Sequence, residues 1–164
     1  LYLYRYEIRD LVERYRDGSD FFFRNRGKAL LRGIELEAQA DIGSQLSLEL
    51  GLQAAEGRAL DDDAPLSDVP AEGLTVTLRR RFGGSGSVWA RALLRGRHDE
   101  PGPVEREVPG YGVLDLGGVW RVTRNLEARL VVGNLLDEGY LGSPDELAVP
   151  APGRHAILTL SAVF

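Results

Sequence analysis

The sequence predicts an all-β protein, an antiparallel transmembrane β-barrel meander of about eight strands. Three observations carry this. Segment after segment alternates apolar and polar side chains with a period of two. Short and long connections take turns along the chain. Aromatic residues sit on the apolar parity near the short-turn ends, where an interfacial girdle belongs.

The last segment is the clearest. Ala156, Leu158, Leu160, Ala162 and Phe164 share one face, against His155, Thr159 and Ser161, with Ile157 and Val163 as apolar exceptions. An aromatic final residue suits the closing strand of an outer-membrane barrel. At the other end Tyr2, Tyr4, Tyr6 and Ile8 alternate with Leu3, Arg5, Glu7 and Arg9. Asp17-Gly18 is a turn dipeptide. A long strand is expected from Phe21 to Ala40, clearest where Ile34, Leu36, Ala38 and Ala40 oppose Gly33, Glu35, Glu37 and Gln39.

Leu46, Leu48, Leu50 and Leu52 follow a turn at 41–44. Leucines at spacing two would spread around a helix, so a strand is the better reading. A loop at 56–72 precedes the alternation of Leu74, Val76 and Leu78. After the glycine turn at 83–86 come Val88, Ala90, Ala92 and Leu94. A second long loop, 96–109, precedes the strand Tyr111–Arg121, which carries Leu114, Leu116 and Trp120 on one face. A short turn at 122–125 leads to Leu126, Ala128, Leu130 and Val132, and a third long loop spans 134–154.

The opposite face carries Glu35, Glu37, Glu49, Gln53, Arg79, Arg91, Arg95, Glu127 and Arg129. Parity alone leaves open whether they meet a wet lumen or bulk water. Phe82, Trp120 and Phe164, apolar in parity and near the short turns, favour the membrane barrel.

Composition sets further bounds. The chain has 164 residues, a formal net charge of -5 and no cysteine. The charge speaks against nucleic acid as a partner. The missing cysteine removes disulfides and thiolate metal sites. No apolar run is long enough for a transmembrane helix. The chain starts at Leu1 without a signal-peptide pattern, so it is expected to be a mature or truncated piece of something longer.

Five short motifs stand in order: Asn25-Arg26-Gly27 with Gly33-Ile34-Glu35-Leu36-Glu37; Ala64-Pro65-Leu66-Ser67-Asp68-Val69-Pro70; Pro109-Gly110-Tyr111; Asn134-Leu135-Leu136-Asp137-Glu138-Gly139-Tyr140; and Pro152-Gly153-Arg154 before the last strand. This series resembles the C-terminal barrel of TonB-dependent outer-membrane receptors. The resemblance implies that residues 1–164 are the last part of a barrel of about 22 strands, a known size class. The plug domain and the earlier strands would lie outside this chain. It also implies uptake of a scarce nutrient, most often a ferric siderophore, at the outer membrane of a Gram-negative bacterium. The implied partners are membrane lipid and lipopolysaccharide, the barrel assembly machinery, a metal chelate or other small molecule, and the TonB complex through the plug. Asn134, Leu135, Asp137, Tyr140, Pro152, Gly153, Arg154 and Phe164 are then signature residues of barrel closure. Asn134 and Gly139 suit loop entry and left-handed turns, Asp137 a local cap, Tyr140 the rim, and Arg154 an acidic neighbour.

No enzyme or cofactor signature appears: phosphate loop, nucleophile elbow and zinc spacing are all missing. His98-Asp99-Glu100 is a candidate ligand-contact cluster on a loop, but three adjacent residues do not converge on one metal ion without special geometry. Asp61-Asp62-Asp63 reads as a solvated acidic loop. Arg79-Arg80-Arg81 reads as solvated or as facing phospholipid headgroups. Two other readings remain: a self-contained small membrane barrel with a structural or adhesive role, and a soluble ligand-binding barrel.

Overall fold

The computed structural model describes residues 1–163; the expected girdle residue Phe164 lies outside the described residues. All regular elements among the described residues are strands. They are β1 (Tyr2–Arg9), β2 (Val12–Asp17), β3 (Asp20–Asn25), β4 (Lys28–Ile42), β5 (Leu46–Ala59), β6 (Gly73–Arg81), β7 (Gly86–Arg95), β8 (Tyr111–Arg121), β9 (Leu126–Gly133) and β10 (His155–Ala162). Eight form one sheet in the order β1-β4-β5-β6-β7-β8-β9-β10, with every neighbouring pair antiparallel. β1 and β10 are its two edges and do not pair with each other, so these strands do not close on themselves.

The eight-strand meander is the one expected, with two corrections. The stretch Phe21–Ala40 is not a single strand. Its first part, β3, pairs with β2 in a separate hairpin. The chain breaks at Gly27, whose φ of 71° lies in the left-handed region that glycine occupies without a Cβ clash. The Asn25 side chain accepts the Gly27 N–H at 2.7 Å and fixes that break. The second correction is at the first long loop: β5 continues to Ala59, so the loop starts near residue 60.

Cross-strand register shows two distinct faces. On one, Ala40, Leu48, Leu78, Ala90, Leu116, Val132 and Ala156 form a continuous row across the sheet. Above it run Leu36, Leu52, Leu74 and Leu94. On β4 this apolar band extends from Ile34 to Ile42, about nine residues, close to the roughly 9–11 a membrane-crossing strand needs. Beyond Ile34 the same face turns charged, with Arg32 against Glu56 and Arg5 against Arg32.

The other face carries the polar rows. Gln39, Glu49, Thr77, Arg91 and Asp115 are aligned, as are Glu35, Gln53, Gly73, Arg95 and Tyr111. Tyr2, Tyr4, Tyr6 and Ile8 belong to this polar parity, since Tyr2 lies opposite Glu35 and Tyr4 opposite Gly33. Their stacked rings, with centroids 5.6 and 5.4 Å apart, therefore extend the polar wall.

The connections segregate as expected. Turns at 43–45, 82–85 and 122–125 lie at one end of the sheet. The hairpin β2–β3 and the loops 60–72, 96–110 and 134–154 gather at the other. Phe82 and Trp120 stand at the short-turn end, 42% and 40% exposed. A residue that large, left half-open in an apolar row, fits an interfacial girdle.

Candidate loop-end binding site

The loops fold back over the polar face. Ile8, Ala29 and Ala59 are cross-strand neighbours on that parity. Ala29, Ala59 and Leu66 are buried together, with Ile8, Leu11 and Val69 packed on them. Small residues in the strands leave room for loop side chains, so loop 60–72 seats directly on the sheet. Beside this core is a cavity of about 650 Å³. Its wall includes Tyr4 and Leu31 from the sheet, Glu13, Arg14 and Phe23 from the hairpin, and Ser67, Val104 and Glu105 from the loops. The volume lies in the range of about 300–1,000 Å³ usual for small-molecule sites.

Ionic and hydrogen-bonded contacts fasten the loops to one another. Glu105 is the centre of this network. Its Oε1 accepts the Asp68 N–H at 2.7 Å, and its Oε2 accepts the Gly102 N–H at 2.8 Å. Oε2 also lies 3.0 Å from His98 Nε2. One carboxylate thus ties loop 60–72 to loop 96–110. At Gly102 the two loops touch so closely that a Cβ would lie 2.6 Å from the Ser67 backbone.

The hairpin is held from two sides. Glu13 is buried and meets Arg24 at 2.8 Å and Arg26 at 3.2 Å. Arg26 also donates to both Asp62 oxygens, at 2.9 and 2.8 Å. Arg14 pairs with Asp145, and Arg16 with Glu146 at 3.0 Å, which joins the hairpin to loop 134–154. The Asp145 carboxyl is held below the ordinary carboxylate range by the Leu147 N–H, then by Arg14. Asp62 is lowered by the Ala64 N–H, then by Arg26.

A carboxyl lowered in the folded loop contributes stability above its unfolded pKa and loses it as pH falls through the folded value. Amide-exchange protection of β2–β3 should therefore hold from pH 7 to about 5 and fall below about pH 4. Protection that stayed flat to pH 3 would show that these pairs do not hold the hairpin.

The residues expected from sequence fall into two groups. His98, Asp99 and Glu100 do not converge: His98 turns to Glu105, while Glu100 pairs with Arg58 at 2.5 Å. The segment Asn134–Tyr140 and Pro152–Arg154 does come together. Asn134 has φ 49° and is buried. Its backbone N–H donates to Asp115 Oδ1 at 2.9 Å. Its side-chain Nδ2 donates to the Glu138 and Pro152 carbonyls at 2.8 and 3.2 Å, and its Oδ1 accepts the Glu138 N–H at 2.9 Å. Leu135 N–H donates to the Leu114 carbonyl at 2.7 Å.

Asp137 Oδ1 accepts the Arg154 N–H at 2.7 Å, and the two side chains lie 4.0 Å apart. A Cβ at Gly153 would approach that same Asp137 oxygen, at 2.9 Å. Tyr140 stacks on Tyr111 with centroids 4.3 Å apart, and burial pushes its phenol pKa up. The left-handed positions are Asn134 and Asp137; Gly139, expected to share that role, does not have positive φ. The segment thus joins the end of β9 to the start of β10 around a buried amide.

Sequence reasoning missed Glu105, Glu13 and the whole β2–β3 hairpin. The one available signal was Asp17-Gly18, a hairpin dipeptide with aromatic and arginine residues on both sides.

Comparison with known proteins places this architecture in a class. The family model described as TonB dependent receptor-like, beta-barrel, matches residues 1–135. The chain belongs to that family. Among solved structures, it is similar to the copper transporter OprC, with 25% identity and a TM-score of 0.84 over 96% of this chain and 27% of that one. It is also similar to the ferric-catecholate import receptor Fiu from E. coli K12, closed form, with 25% identity and a TM-score of 0.73 over 99% and 24%. The siderophore receptor PiuA from Acinetobacter baumannii shares the fold at 18% identity and a TM-score of 0.73, over 98% and 25%. The chain therefore spans about a quarter of the length of these receptors. No curated protein matches the chain.

Proposed function

We propose that this chain forms the last part of the barrel of a TonB-dependent outer-membrane receptor, and that it helps bind and admit a ferric siderophore. The polar face is read as the lumen wall and the apolar face as the lipid-facing surface, with the short turns toward the periplasm. On this reading Asn134, Asp137, Tyr140 and Pro152–Arg154 hold the closing strand in place. Asp99 and Glu100, exposed on loop 96–110, are the members of the His98-Asp99-Glu100 cluster offered to incoming ligand, while His98 faces Glu105. TonB and the barrel assembly machinery would engage the complete protein.

The observation that carries the reading is the cavity over the polar face beneath the fastened loops. It combines aromatic faces from Tyr4 and Phe23 with charges of both signs from Arg14, Glu13 and Glu105. Glu13 Oε1 and Ser67 Oγ are buried there and find no hydrogen-bond partner among the described residues. Both oxygens can accept N–H or O–H groups of a ligand that enters the cavity. A bulky organic chelate has such groups.

The test is uptake of radiolabelled iron, supplied as a ferric catecholate, by cells making the complete protein with and without TonB. TonB-dependent accumulation is expected. Absence of iron uptake, alongside copper accumulation from a simple copper salt, would overturn the siderophore reading.

A further inference from the structure

The three consecutive arginines at the end of β6 do not share an environment. Arg79 lies opposite Ser47 and Trp89 on the polar face. Arg80 lies opposite Leu46 and Val88, in the apolar row that continues through Gly118, Leu130 and Leu158. Its guanidinium stands over the Phe82 ring, 5.5 Å from the centroid. Among the described residues it joins no ion pair. A guanidinium at the exposed end of an apolar row, without a carboxylate beside it, is free to take an anion from outside the chain.

Beside Arg80 the same face is hollow. Ala90 and Gly118 are small, while Leu78, Leu116, Leu130 and Trp120 stand around them. The Trp120 indole lies over Gly118, where a Cβ would meet Cζ2 at 2.7 Å, and so forms one wall. The result is an apolar trough of about 580 Å³ that includes Arg80.

We propose that this trough is a phospholipid site, with one acyl chain in the hollow and the phosphate on Arg80. One guanidinium at the end of a hydrocarbon-lined groove matches a lipid with a single phosphate. A multiply phosphorylated glycolipid would call for several cations, and the other cations of the outward strand face, Arg5, Arg9, Lys28, Arg32 and Arg58, stand at the opposite, loop-bearing end. Phe82 fixes the guanidinium by a cation–π contact and leaves its edge N–H groups free to donate to phosphate oxygens. The proposal rests on the proposed lipid-facing role of the apolar face.

The test titrates the complete, delipidated protein in detergent with phosphatidylglycerol and counts adducts by native mass spectrometry. Diacylglycerol of the same chain length is the phosphate-free control. Arg80→Gln should lower the bound fraction about five-fold, the effect of one cation at an anionic lipid surface. Ala90→Leu, which fills the trough, should lower it as well. Arg79→Gln, one residue away on the other face, should leave it unchanged, and diacylglycerol should bind no better to the unaltered protein than to Arg80→Gln. Equal binding of phosphatidylglycerol by Arg80→Gln and the unaltered protein overturns the proposal. Heat-modifiable migration on gels confirms that each variant is assembled. Recovery of the complete protein in the soluble fraction without detergent would instead sink the membrane reading itself.

Discussion

Replacing Glu105 with alanine should release the loops from one another while leaving the barrel strands intact. The carboxylate accepts two backbone N–H groups, from Asp68 and Gly102, and contacts the His98 ring. Its side chain is 3% exposed and that of His98 is 11% exposed, so water does not readily replace the lost partner. A buried donor left without an acceptor costs about 1–3 kcal/mol. Two such donors and one imidazole give roughly 3–5 kcal/mol, concentrated in loops 60–72 and 96–110. Amide exchange of Asp68 and Gly102 in the complete protein should then accelerate by about 100-fold or more, since each 1.4 kcal/mol is a factor of about ten. The β5 and β7 amides should keep their protection. Glu105→Gln retains one acceptor oxygen and should give a smaller acceleration. If Asp68 and Gly102 exchange at unchanged rates in the alanine variant, Glu105 is not what fastens these loops. Ligand affinity should fall with loop order if the cavity beneath them is the binding site, because a mobile wall adds an ordering cost to binding.

The contrast between Glu105 and the strands shows what the sequence could and could not reveal. Strand parity is local: Leu46, Leu48, Leu50 and Leu52 declare one face of β5 without knowledge of any neighbour. The same local rule puts Arg80 and Arg79 on opposite faces, and the register confirms it. The aromatic residues of β1 alternate just as clearly, yet only pairing with β4 shows that they join the polar wall. The hairpin is hidden for a different reason. Phe21, Phe22 and Phe23 do not alternate, so an unbroken apolar start runs into β4 and conceals the break at Gly27. The loop fastenings are invisible in principle. Arg14 meets Asp145 across most of the chain, and nothing near either residue marks the other. Glu105 stands among prolines and charges like any solvated loop residue. The cluster His98-Asp99-Glu100 draws attention by adjacency, whereas the folded loop sends its side chains to separate partners. Asn134 is legible because its role is again local: a left-handed position at a strand exit favours asparagine.

That locality makes Asn134→Ala the second large perturbation. The substitution removes a side chain that makes three hydrogen bonds at a buried position, two donated to the Glu138 and Pro152 carbonyls and one accepted from the Glu138 N–H. It also leaves alanine at φ 49°, where asparagine is better tolerated, at about 1 kcal/mol. Together these give roughly 3–5 kcal/mol. The cost falls where loop 134–154 returns to β10, an edge strand exposed along its length and paired within the chain to β9 alone. Denaturant or heat unfolding of the complete protein, read by gel migration, should shift to milder conditions, and β10 amides should lose protection first. Two further variants separate the causes. Asn134→Gly relieves the backbone but not the lost hydrogen bonds, so it should remain destabilised. Asn134→Asp keeps the acceptor for Glu138 N–H but places a carboxylate against two carbonyl oxygens, and it should be no better than glycine. If glycine restored the stability, backbone strain alone would explain the position. The buried amide would then not be the clasp between β9 and β10.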